Sequence, residues 1–272
     1  MQQAKMIRSF DNVELYFCRD VPDKAKAIVV IVHGLGEHCH RYDYVTEELN
    51  AAEYGVYRFD NRGHGRSGGA RAYLDDFNKF IDDADFIVEM ARQEEKPIFM
   101  LGHSMGGFIA AGYGVKYGGK LAGQVFSGAF AKSLPSFETL RHVDMNKQSL
   151  HLIANILSHL ICRSPKVVDA YNRDPMVLHA FTNQLMHEVF INGVDWLMAS
   201  IAHHEYPCLI LHGQDDKIVP LECSQFLHDH SSSKDKALKI YPELYHEILN
   251  EEEERDAILA DIIAWMNERI KS

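Results

Sequence analysis

A chain of 272 residues, 46% apolar and 25% charged, is long enough to bury a core as one domain, or as one domain carrying an insertion, and too apolar to stay disordered. Its formal net charge of −11 repels nucleic-acid phosphates and anionic membrane surfaces, and no Lys/Arg run offsets it. Five scattered cysteines with no Cys-x-x-Cys pair read as reduced thiols. No apolar run approaches the ~18 residues of a membrane span. The start, Met1 to Met6, is polar rather than a signal core, so a cytoplasmic location is expected.

In chain order, Met6–Phe10 and Val13–Cys18 form a hairpin-like pair around Asp11-Asn12. The continuous apolar run Ala27–Val32 predicts a strand buried on both faces, as in a parallel sheet covered by helices. A helix over 42–54 and a strand over 55–59 follow. The polar loop from Asp60 to Gly69 lacks a Gly-Lys-Ser/Thr ending, so it reads as structural, with Asp60 and Arg62 paired locally. Residues 76–91 predict an amphipathic helix.

Pro97–Leu101 is a buried strand running into Gly102-His103-Ser104-Met105-Gly106 and then a helix over 107–117. A Gly-x-Ser-x-Gly turn between strand and helix presents its serine on a strained corner, which makes Ser104 the candidate nucleophile. Helix N–H groups aimed at that corner favour the negative oxygen formed when a carbonyl is attacked, so the Met105 N–H is one candidate oxyanion donor. The glycine-containing loop His33-Gly34-Leu35-Gly36-Glu37-His38 after the earlier strand offers the Leu35 N–H as a second. His33, His38 and His103 read as hydrogen-bonded loop or packing residues.

After a strand over 121–127 the pattern changes. Residues 131–200 show little strand character and three helical pieces: an apolar stripe over 150–161, then Val177–Phe190 and Val194–His203. This divides the chain into a core over 1–130, a helical cap over 131–200 and the rest of the core over 201–272. The core rhythm resumes with a strand over 206–213, an acidic loop Gln214-Asp215-Asp216, a helix from Leu221, a last strand over 237–242 and a final helix. Glu251 to Glu254 are assigned to capping and solvation of that helix.

A serine hydroxyl needs a neutral base, and the base needs a carboxylate to hold its tautomer. Ser104, an acid after a late strand and a histidine after the last strand follow the chain order of an α/β sheet. His246 is the base. Asp216 is the acid and Asp215 its rival, a choice resting on the loop leading to Pro220. Lys116 and Lys120 are not placed to serve as bases. No His/Cys/Asp/Glu cluster has metal spacing, so metal-independent hydrolysis without a cofactor is expected.

These motifs resemble the α/β-hydrolase superfamily over nearly the whole chain, and within it the monoacylglycerol lipase and lysophospholipase branch grouped with serine aminopeptidase-like hydrolases. The resemblance rests on His33–His38 with Arg41-Tyr42, Asp60–Ser67, Gly102–Gly107, Asp174-Pro175, Gly213-Gln214-Asp215-Asp216 and Tyr245-His246-Glu247. It implies a mostly parallel α/β sheet with a helical cap, a Ser104–Asp216–His246 triad, and oxyanion donors at Leu35 and Met105. It implies a serine hydrolase cleaving monoacylglycerols or lysophospholipids. The alternatives are a short-chain or aromatic carboxylesterase, an amidase or peptidase, and a non-catalytic ligand-binding protein. The expected partner is a small ester or lipid, not nucleic acid. Residues 136–151 carry Glu138, Arg141, His142, Asp144, Lys147 and His151, so membrane contact through the cap is expected to be peripheral at most.

Overall fold

The computed structural model describes residues 2–270; Met1, part of the polar start read above, lies outside the described residues. The chain opens with strands β1 (Gln2–Arg8), β2 (Glu14–Asp20) and β3 (Ala27–Val32), helix α1 (Asp43–Ala51), strand β4 (Tyr54–Phe59) and helix α2 (Asn78–Ala91). Strand β5 (Ile98–His103), helix α3 (Met105–Lys116) and strand β6 (Gly123–Ser127) complete the first part. The hairpin is longer than the apolar pattern indicated and begins at Gln2, with Asn12 taking the left-handed conformation (φ 68°) that its turn requires.

Between β6 and the next strand of the main sheet lie α4 (Met145–Gln148), β7 (Leu152–Ala154), α5 (Pro165–Arg173), β8 (Ala180–Thr182), α6 (Asn183–His187) and α7 (Val194–Ser200). Then come β9 (Cys208–Gly213), α8 (Leu221–His230), β10 (Lys236–Tyr241) and α9 (Arg255–Ile270). Eight strands form one sheet in the order β1-β2-β4-β3-β5-β6-β9-β10, antiparallel at β1-β2-β4 and parallel from β4 onward.

The register explains why β3 is apolar at every position. Ile28, Val30 and Val32 enter the core beneath α2 and α3, whereas Ala27, Val29 and Ile31 enter a second core beneath α1 and α9. Each face is therefore covered, as the unbroken apolar run requires. From β3 the chain steps outward to β4, then returns across β3 to β5. The loops leaving β3 and β5 thus diverge at the switch point of the sheet, where such folds leave a crevice at the strand carboxyl ends.

Several expectations in the segment between β6 and β9 are corrected. Residues 150–161 are not one helix. Leu152–Ala154 pairs antiparallel with Ala180–Thr182, and Ser158–Leu160 is a single 3-10 turn. The apolar residues do not share one face: Leu150, Leu152 and Ile156 are 69%, 58% and 72% exposed, while Ile153 and Ile161 point inward. Val177–Phe190 is not one helix either: Ala180–Thr182 is strand β8, and from Asn183 the chain coils to Ser200 through a wide π turn at Glu188–Gly193. Among the described residues, no helix is long and apolar enough to cross a membrane.

Candidate active site

Ser104 occupies the corner between β5 and α3 with φ 53° and ψ −117°. Its carbonyl accepts from the N–H groups of Gly107, Phe108 and Phe130, and its own N–H donates to the Ser127 carbonyl, so a strained residue is held by four backbone bonds. The flanking glycines have a steric cause. A Cβ on Gly106 would lie 2.1 Å from the Val32 carbonyl oxygen, and one on Gly102 would lie 2.3 Å from that of Gly106. The elbow is therefore pressed against the end of β3.

Leaving β3, the chain turns through His33–His38. Gly34 N–H donates to Glu37 Oε2 at 2.8 Å, and His33 Nε2 accepts from the Asn61 N–H at 2.8 Å. This places Leu35 in the wall of the same cavity as Ser104. The N–H of Met105 opens α3, where first-turn N–H groups have no partner within the helix.

His246 lies after β10 and is 4% exposed. Its Nδ1 is 2.6 Å from Asp216 Oδ2, while the other oxygen, Oδ1, accepts from the N–H groups of Ile218 and Val219 at 2.8 and 2.9 Å. Asp215 is exposed, so the carboxylate joined to the imidazole is Asp216. Burial pulls the His246 pKa down but the adjacent Asp216 charge pulls it up further, leaving it above the ordinary imidazole value. For Asp216 burial opposes ionisation and His246 favours it, with a net lowering. The His103 ring packs tilted against His246, centroids 4.7 Å apart, and bonds the Ser127 carbonyl at 3.0 Å. Burial and the neighbouring His246 lower its pKa, and its contacts are those of a packed, hydrogen-bonded residue.

Ser104 and His246 open on one cavity of about 370 Å³. Its walls are mostly apolar, with Phe130, Phe137, Ile153, Phe181, Met186 and Phe190 prominent among them. Phe137 and Phe190 stack with centroids 4.6 Å apart, and Phe130 meets Phe190 edge-on. Phe190 belongs to the wide π turn, a distortion that re-aims side chains within a helix.

A polar frame that the sequence alone does not reveal runs along the cavity wall. Arg41 bonds Glu37 and makes a two-pronged contact with Glu247 at 2.5 and 2.7 Å, and all three side chains are buried. Burial opposes the Glu37 charge, but Arg41 lowers its pKa to about 2. The available signal was the adjacency of Glu247 to His246 and the four-residue spacing from Glu37 to Arg41. Two further expectations change, one in the polar loop and one before the last helix. Asp60 does not pair with Arg62: it accepts from the N–H groups of Cys39 and Arg66 at 2.7 Å each, and Arg62 instead bonds Asp83 and Asp11. Glu251 does not cap in solvent; it is buried, precedes α9, and accepts from Arg163 and the Tyr245 N–H. Asp174 bonds His38 at 2.8 Å, and Leu178 N–H donates to the Gly36 carbonyl, fastening the inserted segment to the loop that carries Leu35.

Sheet order, elbow and histidine–aspartate pair define an α/β hydrolase. Residues 23–253 match the family model described as serine aminopeptidase, S33, and the chain belongs to that family. It is 35% identical to the monoacylglycerol lipase of Mycolicibacterium smegmatis over 89% of this chain and 88% of that protein. It is 30% identical to the human monoglyceride lipase over 90% of this chain and 83% of that one. Among solved structures, the monoacylglycerol lipase of Paleococcus ferrophilus superposes with a TM-score of 0.84 at 29% identity, covering 94% of this chain and 99% of that one.

Proposed function

We propose that this protein is a serine hydrolase cleaving the carboxylic ester of monoacylglycerols or lysophospholipids through an acyl-enzyme on Ser104. The observation that carries the reading is the apolar cavity of about 370 Å³ shared by Ser104 and the Asp216-bound His246. With Nδ1 engaged by Asp216, His246 Nε2 takes the Ser104 hydroxyl proton as Oγ adds to the ester carbonyl. The N–H groups of Leu35 and Met105 hold the oxyanion; losing one such donor typically costs about 3 kcal/mol in barrier. His246 then protonates the leaving alcohol. Water adds to the acyl carbon with His246 again as base, and Ser104 leaves with its proton restored.

Residues 131–200 act in this reading as a cap whose apolar underside encloses the acyl chain. The exposed Leu150, Leu152, Ile156 and Leu157 give that cap a small apolar rim, suited to a peripheral lipid contact. An ester is favoured over an aminoacyl amide because the two carboxylates in the cavity wall, Glu37 and Glu247, are both occupied by Arg41, which leaves neither for a substrate ammonium.

The test is kcat/KM across monoacylglycerols and p-nitrophenyl esters of increasing chain length, with a detergent control. The expected optimum lies at medium or long acyl chains, and Ile153→Trp, which fills the cavity, moves it to shorter ones by roughly tenfold or more in relative kcat/KM. An optimum at acetate or butyrate, untouched by Ile153→Trp, would move the substrate to small soluble esters.

A further inference from the structure

Cysteines 18 and 39 are far apart in sequence and give no metal spacing, yet the fold brings them together. Cys18 lies on β2 and Cys39 in the turn before α1, and their sulfurs lie with a ring nitrogen of His40 in a group whose ligand atoms are all within 4.8 Å of one another. Cys18 Sγ is 3.9 Å from His40 Nε2. A tetrahedral zinc centre, with Zn–S of ~2.3 Å and Zn–N of ~2.0 Å, holds its donor atoms roughly 3.5–3.8 Å apart, so the Cys18–His40 pair already fits and the remaining donors need to close by about 1 Å at most.

The surroundings supply the remaining requirements of such a centre. Asp43 Oδ1 lies 3.0 Å from His40 Nδ1, and a proton held there by the carboxylate leaves the Nε2 lone pair facing the sulfurs. The Tyr16 hydroxyl, 3.1 Å from the same Nε2, is an oxygen beside the site. Both thiols are buried, whereas the His40 side chain is 24% exposed and provides an entry path. Two thiolates and an imidazole are a donor set for a soft or borderline divalent ion rather than magnesium or calcium.

The geometry points to a zinc-class site formed by Cys18, Cys39 and His40, separate from the cavity that holds Ser104. Cys39 directly follows the loop from His33 to His38, so an ion here ties β2 to the base of the loop carrying Leu35. Its role is structural: two thiol protons leave on binding, and the turn becomes fixed to the sheet.

Titration of the reduced full-length protein with Co2+, a spectroscopic substitute for Zn2+, tests this. The expected result is one saturable site with thiolate-to-cobalt charge-transfer absorption, about two protons released per ion near neutral pH, and displacement by Zn2+. Cys39→Ser and His40→Gln should each weaken binding by at least about tenfold, and Zn2+ should raise the thermal midpoint of wild type but not of His40→Gln. Circular dichroism checks the folding of each variant, and the part-exposed His40→Gln keeps the test decisive where a buried thiol variant does not fold. No charge-transfer band at millimolar cobalt, or a band unchanged in His40→Gln and Cys39→Ser, overturns the site; the latter would place the ion on thiols elsewhere.

Discussion

Residue by residue, the site is governed by how each charge is held. Asp216 gives one oxygen to His246 and the other to two backbone N–H groups, so its orientation is fixed from both sides. Asp216→Asn should lower kcat by roughly 10⁴-fold by supporting the wrong tautomer, whereas Asp215→Asn, at an exposed side chain, should leave kcat near wild type; a loss confined to Asp215→Asn would reverse the assignment. The same pair sets the pH response. His246 must be neutral to act as base, so activity falls as pH drops through its raised pKa, and the acid limb of kcat/KM should lie above the ordinary imidazole value. Removing the Asp216 charge should move that limb to lower pH. The corner position of Ser104 and the pairing of His246 with Asp216 instead of Asp215 were legible because elbow, strand-end acid and strand-end histidine follow chain order. The Arg41 bridge was not legible, since Glu37 and Glu247 are 210 positions apart and only the fold brings them to one guanidinium.

At the scale of elements, the elbow and the inserted segment behave differently. The elbow is a local feature, written in five consecutive residues whose glycines are required by contacts with the end of β3 and the start of α3. Gly106→Ala would force a Cβ to within 2.1 Å of a β3 carbonyl, which cannot rotate away as a side-chain tip can. The expected cost is about 3 kcal/mol or more, read as a lowered denaturation midpoint with an unchanged m-value; a stability within 1 kcal/mol of wild type would show that β3 yields to the elbow. The inserted segment is not local in this sense. Its apolar spacing over 150–161 imitates a helix, but the backbone bonds are made to Ala180–Thr182, and Asn155 is held by the Tyr171 hydroxyl and the Leu178 carbonyl. Periodicity identifies which residues are apolar, not whether a distant strand competes for their backbone.

For the molecule as a whole, buried histidines dominate the response to acid. Burial holds His64 at about 3 and His204 at about 4, and it lowers His33, His103 and His212 as well. Their unfolded counterparts take up protons below about pH 6.5, so the unfolded state binds more protons and stability falls as pH drops from 6.5 toward 4. Glu37, held at about 2 by Arg41 against burial, adds a loss below its unfolded value, near pH 4.5. His246 runs the opposite way: with its folded pKa raised, its contribution is full below about pH 6.5 and vanishes as pH rises through the folded value. These lowered histidines together outweigh it, and the thermal midpoint should fall steadily from pH 7 to pH 4; a midpoint that holds or rises would mean that these rings are protonated in the fold.

The sheet, its helices and the candidate catalytic groups converge on one crevice at the switch point between β3 and β5, and the central proposal is that Ser104 there breaks a glyceride ester. The direct measurement is release of glycerol and fatty acid from a long-chain monoacylglycerol by wild type and Ser104→Ala at equal folded concentration. Steady turnover by wild type, reduced by at least about 10³-fold in Ser104→Ala with an unchanged thermal midpoint, is the expected result. Equal turnover by the two proteins, or a wild type that ignores the ester while cleaving aminoacyl amides, would contradict the account.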